Sequence, residues 1–209
     1  MCHSLVVMFE IKQPSKIIIG KNSCAEFDFD ENCLVITSKG AKERGWLDYL
    51  GIKNFLLFDN VEPNPSIETT TNIINEFQTS KINSIIGLGG GSSLDVAKFV
   101  AAKLEKNKIM IPTTFGSGSE VTRISVLKVE GKKQSFHDNN LFADISIVDS
   151  HFIEKSPIDV IRNSAIDALA QCSEGYDSKN GNPYTRFLCD HAFKLLEQGI
   201  MNNENEKIV

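Results

Sequence analysis

Apolar residues along this chain gather into short unbroken runs separated by amphipathic stretches. Cys33-Leu34-Val35-Ile36-Thr37, Asn54-Phe55-Leu56-Leu57-Phe58, Ser84-Ile85-Ile86-Gly87-Leu88 and Lys108-Ile109-Met110-Ile111 each read as a short strand of the buried kind. Between them, residues 41–50 carry helical spacing. Pro63-Asn64-Pro65 then breaks the chain ahead of a helix with Ile67, Ile73, Ile74 and Phe77 on one face, and residues 92–104 form another helix. Strands alternating with helices of this length predict an α/β fold with a parallel sheet covered on both faces. Residues 122–129 and 145–148 are predicted as further strands. Phe9–Lys12 and Lys16–Gly20, on either side of Gln13-Pro14-Ser15, predict a hairpin. From Pro157 the texture becomes helical, over roughly 158–175 and 184–199. A boundary near 149–157 therefore divides an α/β part, 1–152, from a helical part, 153–209.

Composition changes this picture little. The chain has 209 residues, is 41% hydrophobic and 23% charged, and carries a net charge of −5 with no basic run, so nucleic acid is not an expected partner. No stretch approaches the roughly 20 apolar residues of a membrane span. The apolar start, Met1 to Met8, lacks a basic segment and runs into Glu10, so it reads as a first strand and not a leader. Five scattered cysteines without a CxxC pair suit a reduced cytoplasm, most of them as small buried hydrophobes.

One segment carries chemistry on its own. In Gly87-Leu88-Gly89-Gly90-Gly91-Ser92-Ser93-Leu94-Asp95-Val96-Ala97-Lys98 a buried strand ends, three glycines turn, and a helix opens. Glycines let a diphosphate approach the backbone, and the free N–H groups and positive end of the helix face it. The same residues also suit a tight strand-to-helix turn, with Ser92 as N-cap and Asp95 completing a capping box.

Three further segments fall in order with it. Gly89 to Lys98, Asp59-Asn60-Val61-Glu62-Pro63-Asn64-Pro65, Ile111 to Thr122 and the stretch around Asp167 together resemble the iron-containing (group III) alcohol dehydrogenases. The resemblance runs from about residue 9 to residue 209. It implies a dehydroquinate-synthase-like, Rossmann-type N-terminal domain followed by the start of an α-helical metal-binding domain. It also implies a dinucleotide, NADP or NAD, with its pyrophosphate on the glycine turn. Asn64, Gly89, Gly90, Gly91, Ser92, Ser93, Asp95, Thr113, Thr114, Ser117, Thr122 and Lys133 would line that cofactor. NAD-preferring relatives place an acidic residue after the second strand, where it bonds the adenosine ribose. Here Ser38 and Lys39 stand there, a hydroxyl and a cation that suit a 2′-phosphate, so the expectation leans to NADP.

The metal position departs from the family pattern. The resemblance implies Fe2+ or Zn2+ held in part by an Asp and, four residues on, a His, which i,i+4 spacing puts on one helix face. Asp167 is present, but Gln171 stands for the histidine, and an amide oxygen is a poorer donor. His3, His137, His151 and His191 do not fall at the positions of the family's other ligands. Asp167-Ala168-Leu169-Ala170-Gln171-Cys172-Ser173-Glu174 and Lys133-Gln134-Ser135-Phe136-His137 are similar to a phosphonoacetaldehyde-reductase-like branch, where Lys133 or His137 would hold a phosphonate. The implied activity is NAD(P)H-dependent reduction of a small aldehyde to an alcohol, with a homodimer, or a second chain supplying further helices, as possible assembly. The rival expectation is a truncated, non-catalytic remnant that at most binds dinucleotide.

Overall fold

The computed structural model describes residues 8–202. Its centre is a six-stranded sheet built from β1 (Lys16–Ile19), β2 (Cys33–Ile36), β3 (Phe55–Phe58), β4 (Ser84–Gly89), β5 (Asn107–Pro112) and β8 (Ile145–Val148). The strand order is β1-β8-β5-β4-β2-β3 and every pairing is parallel. An antiparallel hairpin, β6 (Ile124–Val129) with β7 (Lys132–His137), forms a separate two-stranded sheet. The α/β fold with its parallel sheet, read from the alternating runs, is the one observed.

Alternation within the buried strands sends side chains to two cores. Leu34, Ile36, Ile85 and Met110 meet helices α3 (Ile67–Phe77) and α4 (Gly91–Leu104) through Ile73, Phe77, Leu94, Ala97 and Val100. Cys33, Val35, Ile86, Leu88, Ile109 and Ile111 point the other way, toward Trp46 and Leu47 of α2 (Trp46–Tyr49) and Phe152 of α5 (Ser150–Glu154). A strand buried on both faces needs an apolar residue at every position, which is why these segments read as unbroken runs. Gly87 sits where α4 lies closest: a Cβ there would stand 2.7 Å from Met110 Sδ and 2.8 Å from Ala97 Cβ. Two long helices follow the sheet, α6 (Ile158–Asp177) and α7 (Pro183–Asn202). They expose large apolar side chains, including Ile166 at 64% and Phe187 at 67%. No described helix is long and apolar enough to cross a membrane.

Several local expectations are corrected. Residues 9–12 form no strand, and Lys16–Ile19 pairs instead with β8, about as far along the chain as the sheet allows. The Pro14 turn is therefore an entry into an edge strand, with Lys16 N donating to Asp144 O and Gly20 N to Val148 O. Residues 41–50 form two short helices, α1 (Lys39–Glu43) and α2, because Gly45 takes a left-handed φ of 68° between them. The β7 strand was not foreseen. Its sequence, Lys132 to His137, is polar and mostly exposed, and a two-residue turn at Glu130 and Gly131 (φ 50° and 78°) folds it onto β6. The strand expected at Met1–Met8 lies almost wholly outside the described residues. Cys24 and Cys33 are buried as expected, whereas Cys172 and Cys189 are half-buried on the helical hairpin.

Candidate functional site

The connection from β2 runs outward to β3, and the one from β3 crosses back over β2 to β4. That reversal leaves a crevice beyond the carboxyl ends of β2 and β4, where open α/β sheets bind ligands. Thr37, fully buried, ties the crevice floor together. Its hydroxyl donates to Leu88 O at 2.6 Å, its N–H to Phe58 O at 2.8 Å, and its carbonyl accepts from Val61 N at 3.1 Å. Nothing in the sequence singled this threonine out.

The glycine turn closes one side. Gly89 has φ 149°, a region L side chains rarely adopt, and a Cβ on it would press Ser93 Oγ at 2.8 Å. Gly90, not Ser92, is the N-cap of α4, and no side chain caps that end. The first N–H groups of the helix are thus left open toward the crevice. The capping box is corrected as well. Asp95 does not fold back to the turn; its carboxylate accepts from the Ser119 hydroxyl at 2.6 Å and from Val126 N at 3.0 Å. Asp95 therefore braces the loop behind the turn.

That loop, residues 113–123, carries Thr113, Thr114, Ser117 and Thr122. Thr113 is buried and donates its N–H to Gly89 O at 3.0 Å. Cβ positions built on Gly90 and Gly91 would fall 3.1 Å from Thr114 Oγ1 and 3.1 Å from Ser117 Cβ, so both residues stand directly over the turn. From the other side Asn64, at a positive φ of 52°, donates its N–H to Ser92 Oγ at 3.4 Å. Ser38 caps α1 without a side-chain bond to it, half-buried at the end of β2, and Lys39 beside it is exposed. Lys133 is exposed on β7, opposite Lys128, whose N–H donates to Pro65 O at 2.7 Å. Lys133 thus stands one strand out from the Asn64–Pro65 bend, and His137 lies at the far end of the same strand.

Behind the loop sits a buried charge that was not anticipated. Lys98 is fully buried; its ammonium donates to Ser119 O at 2.8 Å, to Thr122 O at 3.3 Å and to Ile124 O, with Asp95 Oδ1 3.6 Å away. Burial pushes the Lys98 pKa down, against the pull of the Asp95 charge. It pushes Asp95 up, against the Ser119 bond and the Lys98 charge, and Glu120 up as well. Of the named candidates, Thr122 meets this ammonium through its carbonyl. The signal was present in Leu94-Asp95-Val96-Ala97-Lys98-Phe99: a lysine three residues after an aspartate, inside an otherwise apolar helix segment.

The same loop reaches α6. A Cβ on Gly116 (φ 104°) would lie 2.9 Å from Asp167 Oδ2 and 3.0 Å from Ser164 O. Asp167 is thereby brought beside the loop that lines the turn. It is exposed, and its Oδ2 accepts from Gln171 Nε2 at 3.1 Å. Among the described residues no group of three or more His, Cys, Asp or Glu comes together in a way that would hold a metal ion. With its amide nitrogen donated to the carboxylate, Gln171 leaves an ion only its amide oxygen, a poor donor. Asp167 and Gln171 by themselves do not fit Fe2+ or Zn2+, which take three or four donors.

Comparison with known proteins gives the family and the fold. The family model described as "Iron-containing alcohol dehydrogenase" matches residues 14–150. A 4-hydroxybutyrate dehydrogenase of Clostridium kluyveri is 37% identical over 155 residues, covering 66% of this chain and 42% of that protein. A long-chain-alcohol dehydrogenase of Geobacillus thermodenitrificans is 35% identical over 165 residues, covering 69% of this chain and 42% of its own length. The chain thus spans about two fifths of these relatives. The crystal structure of an iron-containing alcohol dehydrogenase from Thermotoga maritima superposes with a TM-score of 0.86 at 25% identity, over 96% of this chain and 65% of that one.

Proposed function

This chain belongs to the iron-containing alcohol dehydrogenase family, and from that premise we propose that it binds a nicotinamide dinucleotide across the β2–β4 crevice, for NAD(P)H-dependent reduction of a small aldehyde to an alcohol. The observation that carries the reading is the open N-terminus of α4, framed by Gly89, Gly90 and Gly91. Its N–H groups and helix dipole would receive the pyrophosphate. Asn64, Ser92, Thr114 and Ser117 stand around it as hydrogen-bonding groups, while Thr37, Asp95 and Lys98 hold the walls in place. Ser38 and Lys39 at the crevice edge favour NADP over NAD, since a hydroxyl and a cation receive a 2′-phosphate where a carboxylate would repel it.

In this chemistry the dinucleotide supplies hydride, and the protein supplies position and exclusion of water. In the family a metal polarises the carbonyl, and Asp167 and Gln171 alone do not make its site. That same pair favours a second reading, in which these 209 residues bind dinucleotide without turning over an aldehyde. The Lys133–His137 segment, exposed on β7, is compatible with an anionic substrate such as phosphonoacetaldehyde.

Calorimetric titration of the chain with NADPH and NADH tests the reading. Gly90→Val should abolish binding, because its branched side chain would fill the approach to the turn beside Thr114 Oγ1. Circular dichroism would confirm that the sheet is retained. Unchanged affinity in a folded Gly90→Val chain would overturn the assignment.

A further inference from the structure

Helices α6 and α7 are joined by only five residues, 178–182, so α7 folds back along α6. Cys172 lies five residues before the end of α6 and Cys189 six after the start of α7. At about 1.5 Å of rise per residue, the two sit about 7.5 Å and about 9 Å from the connection, at nearly the same level. The helices are close at this point. A Cβ on Gly175, one turn beyond Cys172 on the same face of α6, would stand 2.8 Å from Cys189 Sγ. Both cysteines are half-buried free thiols, and both line one groove of about 370 Å3 with Tyr176, Phe193 and Lys194. The other described cysteines differ in kind: Cys24 and Cys33 are fully buried in the core under the sheet.

We propose that Cys172 and Cys189 form a modification site, a thiol pair that closes reversibly into an α6–α7 disulfide on meeting a low-molecular-weight disulfide such as oxidised glutathione. One thiolate attacks a sulfur of the small disulfide, forming a mixed disulfide and expelling one small thiol. The second thiolate then attacks the protein sulfur of that mixed disulfide and expels the other. The two cysteines lose two electrons and two protons in total, and the small disulfide is reduced to two thiols. The groove admits the reagent, and the close helix approach at Gly175 gives the second attack its reach. Burial and the neighbouring Cys189 push the Cys172 thiol up, so the reaction should quicken as pH rises. The bridge ties α7 to the segment of α6 that carries Asp167 and Gln171, so closure would stiffen the helix beside the crevice loop.

The test uses the chain with Cys2→Ser, which removes the thiol outside the described residues. It is incubated natively with oxidised glutathione, its free thiols are alkylated, and the digest is mapped by mass spectrometry. The expected result is a linked Cys172–Cys189 peptide, a higher melting temperature, and reversal by dithiothreitol. Cys24 and Cys33 should take the alkylating reagent only after unfolding. Adding Cys172→Ser should stop the reaction at one glutathione on Cys189 and remove the rise in melting temperature. Glutathione retained on both cysteines without a link, or no reaction at either, would overturn the proposal. So would a melting-temperature rise that survives in the Cys172→Ser chain.

Discussion

Replacing Lys98 with methionine keeps an unbranched apolar stem, one heavy atom shorter, and removes the charge and three donors. In the native chain those donors satisfy the carbonyls of Ser119, Thr122 and Ile124, and the ammonium neutralises Asp95 at 3.6 Å. The Lys98 side chain is 0% exposed and that of Asp95 13%, so solvent screens the pair very little. Removing one partner of a buried pair leaves an uncompensated charge and costs about 3–5 kcal/mol. Each carbonyl left without a donor adds a cost of the same order as a lost hydrogen bond, partly relieved where the loop can open to water. Asp95 keeps the Ser119 hydroxyl and the Val126 N–H, which holds the total near that range. For a domain of this size each kcal/mol moves the melting midpoint by about 2–4 °C, so Lys98→Met should melt about 6–20 °C below the parent. Adding Asp95→Asn removes the orphaned charge and should recover part of the loss, making the double variant less destabilised than the sum of the single ones. Differential scanning calorimetry of the four chains measures this, and titration at 10 °C shows whether loosening residues 117–124 also weakens dinucleotide binding. A Lys98→Met midpoint within about 2 °C of the parent would refute the reasoning, because no buried charge that mattered would have been removed.

Burial raises the Glu62 carboxyl, but bonds from the Thr69 hydroxyl at 2.7 Å and Ser66 N at 2.9 Å outweigh it, and the net pKa lies below the ordinary 4.5. A lowered acid stabilises the fold above its unfolded pKa and loses that contribution as pH falls through the folded one. The stability gap between parent and Glu62→Gln should therefore be full at neutral pH and close below 4.5, and a gap independent of pH in urea titrations would rule this out. NADPH should bind more tightly than NADH, and Ser38→Asp should reverse the order by about 1.5–3 kcal/mol, roughly tenfold to a hundredfold; equal affinities in the parent would contradict it. With Fe2+ or Zn2+ added, the purified 209-residue chain should show no NAD(P)H oxidation with small aldehydes, including phosphonoacetaldehyde. Turnover that disappears in Asp167→Asn would show that one carboxylate and Gln171 suffice after all.

The sequence by itself determined the elements whose cause is local. Leu34 to Ile36, Ile85 to Leu88 and Ile109 to Ile111 read as buried strands because each is a short run apolar at successive positions, as a strand covered on both faces requires. The break at Pro63-Asn64-Pro65, the helix after it, and the glycine turn opening α4 are equally local, fixed by backbone freedom and side-chain period. Tertiary structure decided what depends on distant partners. Lys16–Ile19 became an edge strand because Ile145–Val148 lay ready to receive it, and no local spacing records that partner. A polar segment, Lys132–His137, became a strand because the Glu130–Gly131 turn laid it on β6. Asp95 looked like a capping residue from its place in the helix, and only the return of residues 119–126 over α4 gave its carboxylate and the Lys98 ammonium their partners. Asp167 and the crevice loop likewise met only because Gly116, at a φ open chiefly to glycine, let the loop touch the backbone of α6. Hydrophobic period and glycine placement act over a few residues and survive in the linear order. Charge pairing and strand partnership act through space, and the chain must fold before they exist.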